Sequence, residues 1–260
     1  MNPSVLFVFI LNALLGVLRA ADLAFGTDAV TGLCLVGSVW WRYLALGIVV
    51  LAAVLAGRAQ PSRPEAVRSR RPLAGILAFV GAVCFLAAAG AQIALGAASG
   101  LGGFVRCILE CVCSVWLSTM GRCWLSPDAW KKPFGGLYLA VAGSLLFYWN
   151  VLMRFMENSS SWHRVAPTAA VWQALAALLL LSSLARALYL PKPENGRTLC
   201  AAGLAALCLC LCWELPHAAV LAVGAAAEPA LLPELFAALA LCCVGALGGV
   251  CAAACARRPE

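Results

Sequence analysis

The sequence predicts an all-α protein, a polytopic transmembrane helical bundle of about eight spans. Of its 260 residues, 64% are hydrophobic and 11% are charged, and the mean hydropathy is +0.95. Ordinary soluble domains contain about one quarter charged residues, so a soluble domain could not bury this much apolar surface. The same composition excludes a disordered chain and a disulfide-stapled secreted module.

The apolar runs have the length of membrane-spanning helices, since about 20 residues are needed to cross a hydrocarbon core of roughly 30 Å. They are apolar on all sides rather than alternating with a period of two, which argues against a transmembrane β-barrel. Taken in order, the first three runs and the fifth, sixth and eighth are the clearest. The fourth is weaker because it contains Arg106 and Glu110, and the seventh because it contains Glu214, Pro216 and His217. The predicted spans are 3–25, 36–56, 73–95, 102–120, 134–156, 168–190, 198–222 and 231–255.

The basic residues predict the orientation of the bundle. Of the 18 Lys and Arg residues, 12 fall in the loops after even-numbered spans and at the carboxyl end of the chain. They are Arg58, Arg63, Arg68, Arg70, Arg71, Arg122, Lys131, Lys132, Lys192, Arg197, Arg257 and Arg258. The positive-inside rule then places both termini in the cytoplasm of a plasma or inner membrane. We expect the first span to be retained, because no Lys or Arg precedes it as in the n-region of a signal peptide.

The order of charged residues also suggests an internal duplication into two four-helix repeats, residues 1–133 and 134–260. An Arg is followed three residues later by an acid at the outer end of the first span (Arg19, Asp22) and of the fifth (Arg154, Glu157). Glu110 in the fourth span has a counterpart at Glu234 in the eighth. Two copies with an even number of spans share one orientation, so the halves would form a parallel repeat.

Ionisable residues within the spans are the candidate substrate-binding groups, because each costs about 2.5–3.5 kcal/mol at the centre of an inserted helix. Arg106 and Glu110 are spaced i, i+4 on one helical face and can pair. Glu214 and His217, spaced i, i+3, share a face beside Pro216, which removes a backbone donor and kinks the helix. Packing ion pairs and interfacial anchors are the alternative interpretations. The candidates are expected to face the interior of the bundle, most of them in its outer half. They are Arg19, Arg106, Glu110, Arg154, Glu214 and His217.

The 14 cysteines do not indicate a metal centre. They lie within apolar spans, where a buried Cys behaves as a small hydrophobe, and the C-x-C spacing at Cys208, Cys210 and Cys212 points successive side chains to different sides of a helix. Structural zinc sites instead use paired cysteines on turns. We therefore expect no metal and no cofactor. A nucleic-acid partner is not expected either, since the basic residues are scattered over short loops.

Three functions remain open. A carrier or permease for a small solute, with an outward-facing polar cleft, is favoured by the architecture alone. A structural or regulatory membrane subunit, or a homo-oligomer, is suggested by small-residue spacings such as Gly245 and Gly249, which permit close helix contact. A membrane enzyme acting on a lipid-linked substrate is the least favoured, because the chain contains none of the short motifs of known hydrolases, zinc proteases or nucleotide-binding proteins.

Overall fold

A computed structural model describes residues 3–28, 33–60, 64–126, 132–156, 165–190 and 192–256. Within these ranges the chain forms eight helices that are long and apolar enough to cross a membrane, so the predicted fold class is confirmed. Their observed ends lie within five residues of the predicted ends. They are α1 (Pro3–Gly26), α2 (Val39–Arg58), α3 (Pro72–Ala94), α4 (Gly100–Leu125), α5 (Gly136–Met156), α6 (Val165–Tyr189), α7 (Glu194–Ala227) and α8 (Pro229–Cys255).

Local sequence explains several helix ends. The Ser38 side chain accepts a hydrogen bond from the Trp40 amide at 3.3 Å and caps the start of α2. Pro72 occupies the first turn of α3, where its missing N–H costs nothing. Just beyond the end of α3, Gly96 adopts φ +66°, a left-handed conformation that glycine tolerates without strain.

Helix α7 is the longest, with 34 residues, and it contains a π-helical segment, Leu207–Cys212. Pro216 lies four residues after Cys212 and cannot donate a hydrogen bond to the Cys212 carbonyl. That carbonyl faces α1, since a Cβ built on Gly16 would lie 3.1 Å from its oxygen. The Cys212 carbonyl, which Pro216 leaves without its usual helical donor, is therefore covered by α1.

Helices α3 to α8 form a closed ring in chain order. Each packs against the next, and α8 closes the ring with an extensive contact against α3. Helices α1 and α2 lie outside the ring, where they pack against each other and against α7. In a ring of six helices in this order, α4 lies opposite α7, and α5 lies opposite α8.

The two ends of the bundle differ. We call the end at which α1 finishes and α2 begins the outer end, after the predicted orientation, and the opposite end the inner end. The inner half is packed with large side chains, and Trp116, Leu117 and Met120 are fully buried. Trp124 donates from Nε1 to the Val67 carbonyl at 2.9 Å and ties α4 to the segment that precedes α3.

Small residues let α7 and α8 approach closely. A Cβ built on Gly203 would lie 2.4 Å from the Gly248 carbonyl oxygen, and one on Gly245 would lie 2.6 Å from the Leu211 nitrogen. Gly245 and Gly249 therefore make a contact between two helices of the same chain. The duplication into 1–133 and 134–260 stays a prediction. These halves are not separate bundles, since α3 packs along α8.

Candidate functional site

A cavity of about 570 Å³ lies within the ring of α3 to α8. All six ring helices contribute to its wall, and Arg19 and Trp213 reach it at the side nearest α1. Its lining residues fall toward the carboxyl ends of α3, α5 and α7 and the amino ends of α4, α6 and α8, which together form the outer end. The cavity thus occupies the outer half of the bundle, above the packed inner half.

All six sequence-predicted site residues line this one cavity. Their place in the wall is the structural result, whereas their role in binding a substrate stays a prediction. Glu157, the predicted partner of Arg154, lies outside the described residues. The six are Arg19, Arg106, Glu110, Arg154, Glu214 and His217.

The first polar cluster joins α3 to α4. Glu110, whose side chain is 1% exposed, accepts a hydrogen bond from Gln92 Nε2 at 2.9 Å with one carboxylate oxygen. The other oxygen accepts from Arg106 Nε at 3.0 Å. Both oxygens of this buried carboxylate are therefore occupied, as an apolar environment requires.

The second polar cluster joins α6 to α7 and repeats this chemistry. Gln173 Nε2 donates to one oxygen of Glu214 at 2.6 Å and also contacts the Leu209 carbonyl oxygen at 3.1 Å. His217 Nδ1 lies 2.9 Å from the other oxygen of Glu214. With Glu214 ionised, this carboxylate can only accept, so Nδ1 carries the proton in this contact.

The two clusters share one design, in which a glutamine and a cationic or protonatable side chain cap a buried glutamate. The glutamate side chains are 1% and 11% exposed, whereas those of Arg106 and His217 are 40% and 42% exposed. Arg106 and His217 are thus the more exposed members of the two clusters, and the carboxylates are the more enclosed ones.

A third cluster ties α1 to α2 beside the cavity. Asp22 accepts from Arg19 Nη1 at 2.7 Å and from Arg42 Nε at 2.8 Å, and Arg42 Nη2 also donates to the Gly26 carbonyl. The Arg19 guanidinium lies 4.5 Å from the centre of the Trp213 ring. Arg42 lines a separate pocket of about 250 Å³ between α1 and α2, and Arg19 and Trp213 line both spaces. These two residues form the partition between the pocket and the cavity.

Two further residues complete the charged lining. Arg154 on α5 and Glu234 on α8 are both exposed at the outer end. Gln92 and Gln173 each donate a hydrogen bond from one ring helix to the next. Asn150 also lines the cavity.

Sequence reasoning missed the place of Glu234 in the cavity wall, since Glu234 entered only as a counterpart of Glu110. Its position one turn into an apolar helix at the outer end would have identified it. The aromatic lining residues Phe85, Phe147, Trp149 and Trp213 were also missed, because their pattern does not differ from that of core residues.

The cysteines of the described ranges are all free, and most are buried. Over those ranges, no group of three or more His, Cys, Asp or Glu side chains is arranged to hold a metal ion. Comparisons with models of protein families, with curated proteins and with solved structures find no match to this chain.

Proposed function

We propose that this integral membrane protein is a carrier for a small polar solute, which enters the cavity from the outer end. The observation that supports this proposal is a polar cavity enclosed by a continuous ring of six helices and limited to one half of the bundle. A cavity of a few hundred Å³ with a few convergent polar groups is typical of a small-molecule site. In the predicted orientation, both termini are cytoplasmic and the cavity faces the outside.

The packing of the inner half supports a carrier rather than an open channel. Trp116, Leu117 and Met120 fill the space below Glu110 on α4, and none of them reaches the cavity lining. A solute bound beside Glu110 would therefore need a rearrangement of the ring to leave on the inner side. Alternating access in transporters has this requirement.

The subunit hypothesis gains less support from the packing. The Gly245 and Gly249 face, which could have met a partner, contacts α7 within the chain. A homo-oligomer formed through other lipid-facing surfaces remains compatible with a carrier.

Access to the cavity can be tested with a cysteine introduced at Ala237, which lines the cavity on α8. A membrane-impermeant methanethiosulfonate reagent should label Ala237→Cys from the outer side, because the thiol needs water to ionise and react. Ile108→Cys is the matched control: Ile108 lies on α4 near Glu110, but it is 62% exposed on the outside of the helix bundle and is absent from the lining. Labelling of the wild-type protein gives the background from its own 14 cysteines.

A carrier should also expose Ala237→Cys to the same reagent added from the inner side, at a rate that depends on temperature. Labelling from the outer side alone under all conditions would contradict transport and favour a binding protein. Absence of labelling from both sides would contradict the water-filled cavity itself.

A further inference from the structure

The two capped glutamates of the cavity differ in the group that neutralises them. Glu110 is paired with Arg106, whose guanidinium keeps its proton throughout the physiological pH range. Glu214 is paired with His217, and imidazole is the side chain whose charge ordinarily changes between about pH 5 and 8. Of the two clusters, therefore, it is the second, on α6 and α7, whose cap can gain or lose a charge near neutral pH.

His217 can take up a proton from the cavity at one of its two nitrogens. Nδ1 lies 2.9 Å from the Glu214 carboxylate and donates to it, so Nε2 is the nitrogen that can bind a further proton. The side chain is 42% exposed and lines the cavity, which connects it to water. Because Gln173 is neutral, this proton changes the formal charge of the second cluster from −1 to zero.

Other charged groups face His217 from the neighbouring helices. Glu214 lies on the preceding turn of α7, and Glu234 on α8 and Arg19 on α1 are within electrostatic reach. Arg19 belongs to the third cluster, whose two arginines and one aspartate carry a formal charge of +1. Together with the two glutamates, that cluster leaves a net charge of −1 around a neutral imidazole and zero around an imidazolium. The titratable thiols near Glu214 are those of Cys210 and Cys242, and the charged residues across the cavity are Arg106, Glu110 and Arg154.

The charge of the second cluster bears directly on alternating access. A carrier has to enclose its cavity on the outer side before it opens on the inner side. Enclosure removes water, which costs much more for a carboxylate with no counter-charge than for a hydrogen-bonded ion pair. With His217 neutral, Glu214 would be enclosed as a net negative charge, whereas with His217 protonated it would be enclosed as an ion pair. Protonation of His217 consequently favours opening on the inner side.

We propose that His217 and Glu214 form the proton-binding site of this carrier, and that the proton bound at Nε2 of His217 is the ion to which movement of the solute is coupled. This inference rests on the proposed function, because it assigns the coupling ion of the same cavity. The proton passes from water in the cavity to Nε2 and returns to water when the cavity faces the other side. Bonds between heavy atoms do not change.

The first experiment observes this proton directly. The sequence contains two histidines, and the other one, His163, lies outside the described residues. In the full-length His163→Gln protein, labelled with ¹⁵N-histidine and held in detergent, NMR spectra report on His217 alone. We expect a protonated Nδ1 and an unprotonated Nε2 at alkaline pH, and two protonated nitrogens at acidic pH. An imidazole that does not change between about pH 5 and 9, or that carries its proton on Nε2 at alkaline pH, would overturn the proton site.

The second experiment measures how the proton controls access to the cavity. The methanethiosulfonate reagent is applied to Ala237→Cys in vesicles of each orientation, with the same pH on both sides. The quantity measured is the ratio of the labelling rate from the inner side to that from the outer side. Both rates depend on ionisation of the same thiol, so their ratio removes that effect of pH. Above the titration of His217, the ratio should fall by up to about tenfold per pH unit, the dependence expected for one required proton.

Two variants, each combined with Ala237→Cys, fix the charge of the second cluster. His217→Gln keeps the cluster negative, so the ratio should stay at its low alkaline value at every pH. His217→Arg copies the pair of Arg106 with Glu110, so the ratio should stay at its high acidic value. This gain of inner-side access at alkaline pH is one that misfolding cannot produce. His163→Gln is the matched control and should keep the pH dependence seen with both histidines present.

A ratio that does not depend on pH with His217 in place would overturn the coupling, and so would a pH dependence that persists in both His217 variants. If Ala237→Cys is nevertheless labelled from both sides, the carrier proposal stands and the proton alone is refuted. If inner-side labelling is absent at every pH, even in His217→Arg, the carrier proposal fails as well.

Discussion

Replacement of Glu110 tests the geometry of the first polar cluster most directly. Gln92 is only 7% exposed, and in Glu110→Ala its side-chain amide would lose its acceptor. Arg106 would lose its counter-charge. An unsatisfied buried donor costs about 1–3 kcal/mol. The loss at Arg106 adds only about 0–1 kcal/mol, because that side chain is 40% exposed and solvent screens its charge.

We therefore expect Glu110→Ala to lower the free energy of unfolding by about 2.5 kcal/mol. Glu110→Gln keeps the shape of the side chain and one oxygen for Gln92, and should lower it by only about 1 kcal/mol. For a chain of this size, about 1 kcal/mol shifts the midpoint by roughly 2–4 °C, so the alanine variant should unfold about 5–10 °C below wild type.

The assay is thermal unfolding of purified variants in one detergent, with Glu228→Ala as the control for an exposed glutamate. That control should stay within about 0.5 kcal/mol of wild type. Equal midpoints for Glu110→Ala and Glu110→Gln, both close to wild type, would show that the carboxylate is not held by Gln92 and Arg106. If the carrier proposal is right, Glu110→Gln, which stays folded, is the variant with which to measure loss of uptake.

Three other predictions concern topology and packing. Reporter fusions at residues 65, 128, 194 and 260 should all report a cytoplasmic location, and one external signal would refute the orientation derived from the basic loops. Gly57→Ala should destabilise the protein by about 1–3 kcal/mol, because its built Cβ lies 2.4 Å from the Ala201 Cα atom, whereas Gly47→Ala on the same helix meets open space and should be neutral or stabilising. Asn12→Leu should stabilise the fold by about 1 kcal/mol or more, since Asn12 is fully buried and neither polar atom of its side chain has a partner among the described residues. A loss of stability in Asn12→Leu, measured by thermal unfolding, would contradict this prediction.

The number and limits of the helices could be predicted from the sequence because lipid imposes one simple condition. A spanning segment must be apolar and must satisfy its own backbone, so length and hydropathy suffice. The order of helices in the ring could not be predicted. In lipid, apolar faces do not favour one neighbour over another, and close contacts such as Gly203 with Gly248 depend on which small residues meet.

The candidate residues could be found for a related reason. An ionisable side chain is costly within a span, so the positions of Glu110 and Glu214 in apolar runs are enough to indicate a polar interior. Their glutamine partners are less conspicuous. A neutral amide costs far less in an apolar helix, and its partner can belong to any helix that faces it. The hydrogen-bond partners of Gln92 and Gln173 can therefore be identified only from the order of the helices in the ring.

The capped carboxylates determine how substitutions in this cavity should be interpreted. A variant of Glu110 or Glu214 removes a hydrogen-bond partner of Arg106 or His217 even where the carboxylate never contacts the solute. Gln92→Leu separates the two roles, because it removes one donor to Glu110 but leaves the contact between Glu110 and Arg106 in place. If Gln92→Leu lowers stability and leaves binding intact while Arg106→Gln abolishes binding, the guanidinium is the contact and the carboxylate is its support. Equal loss of binding in both variants would instead assign the whole hydrogen-bonded cluster to the site.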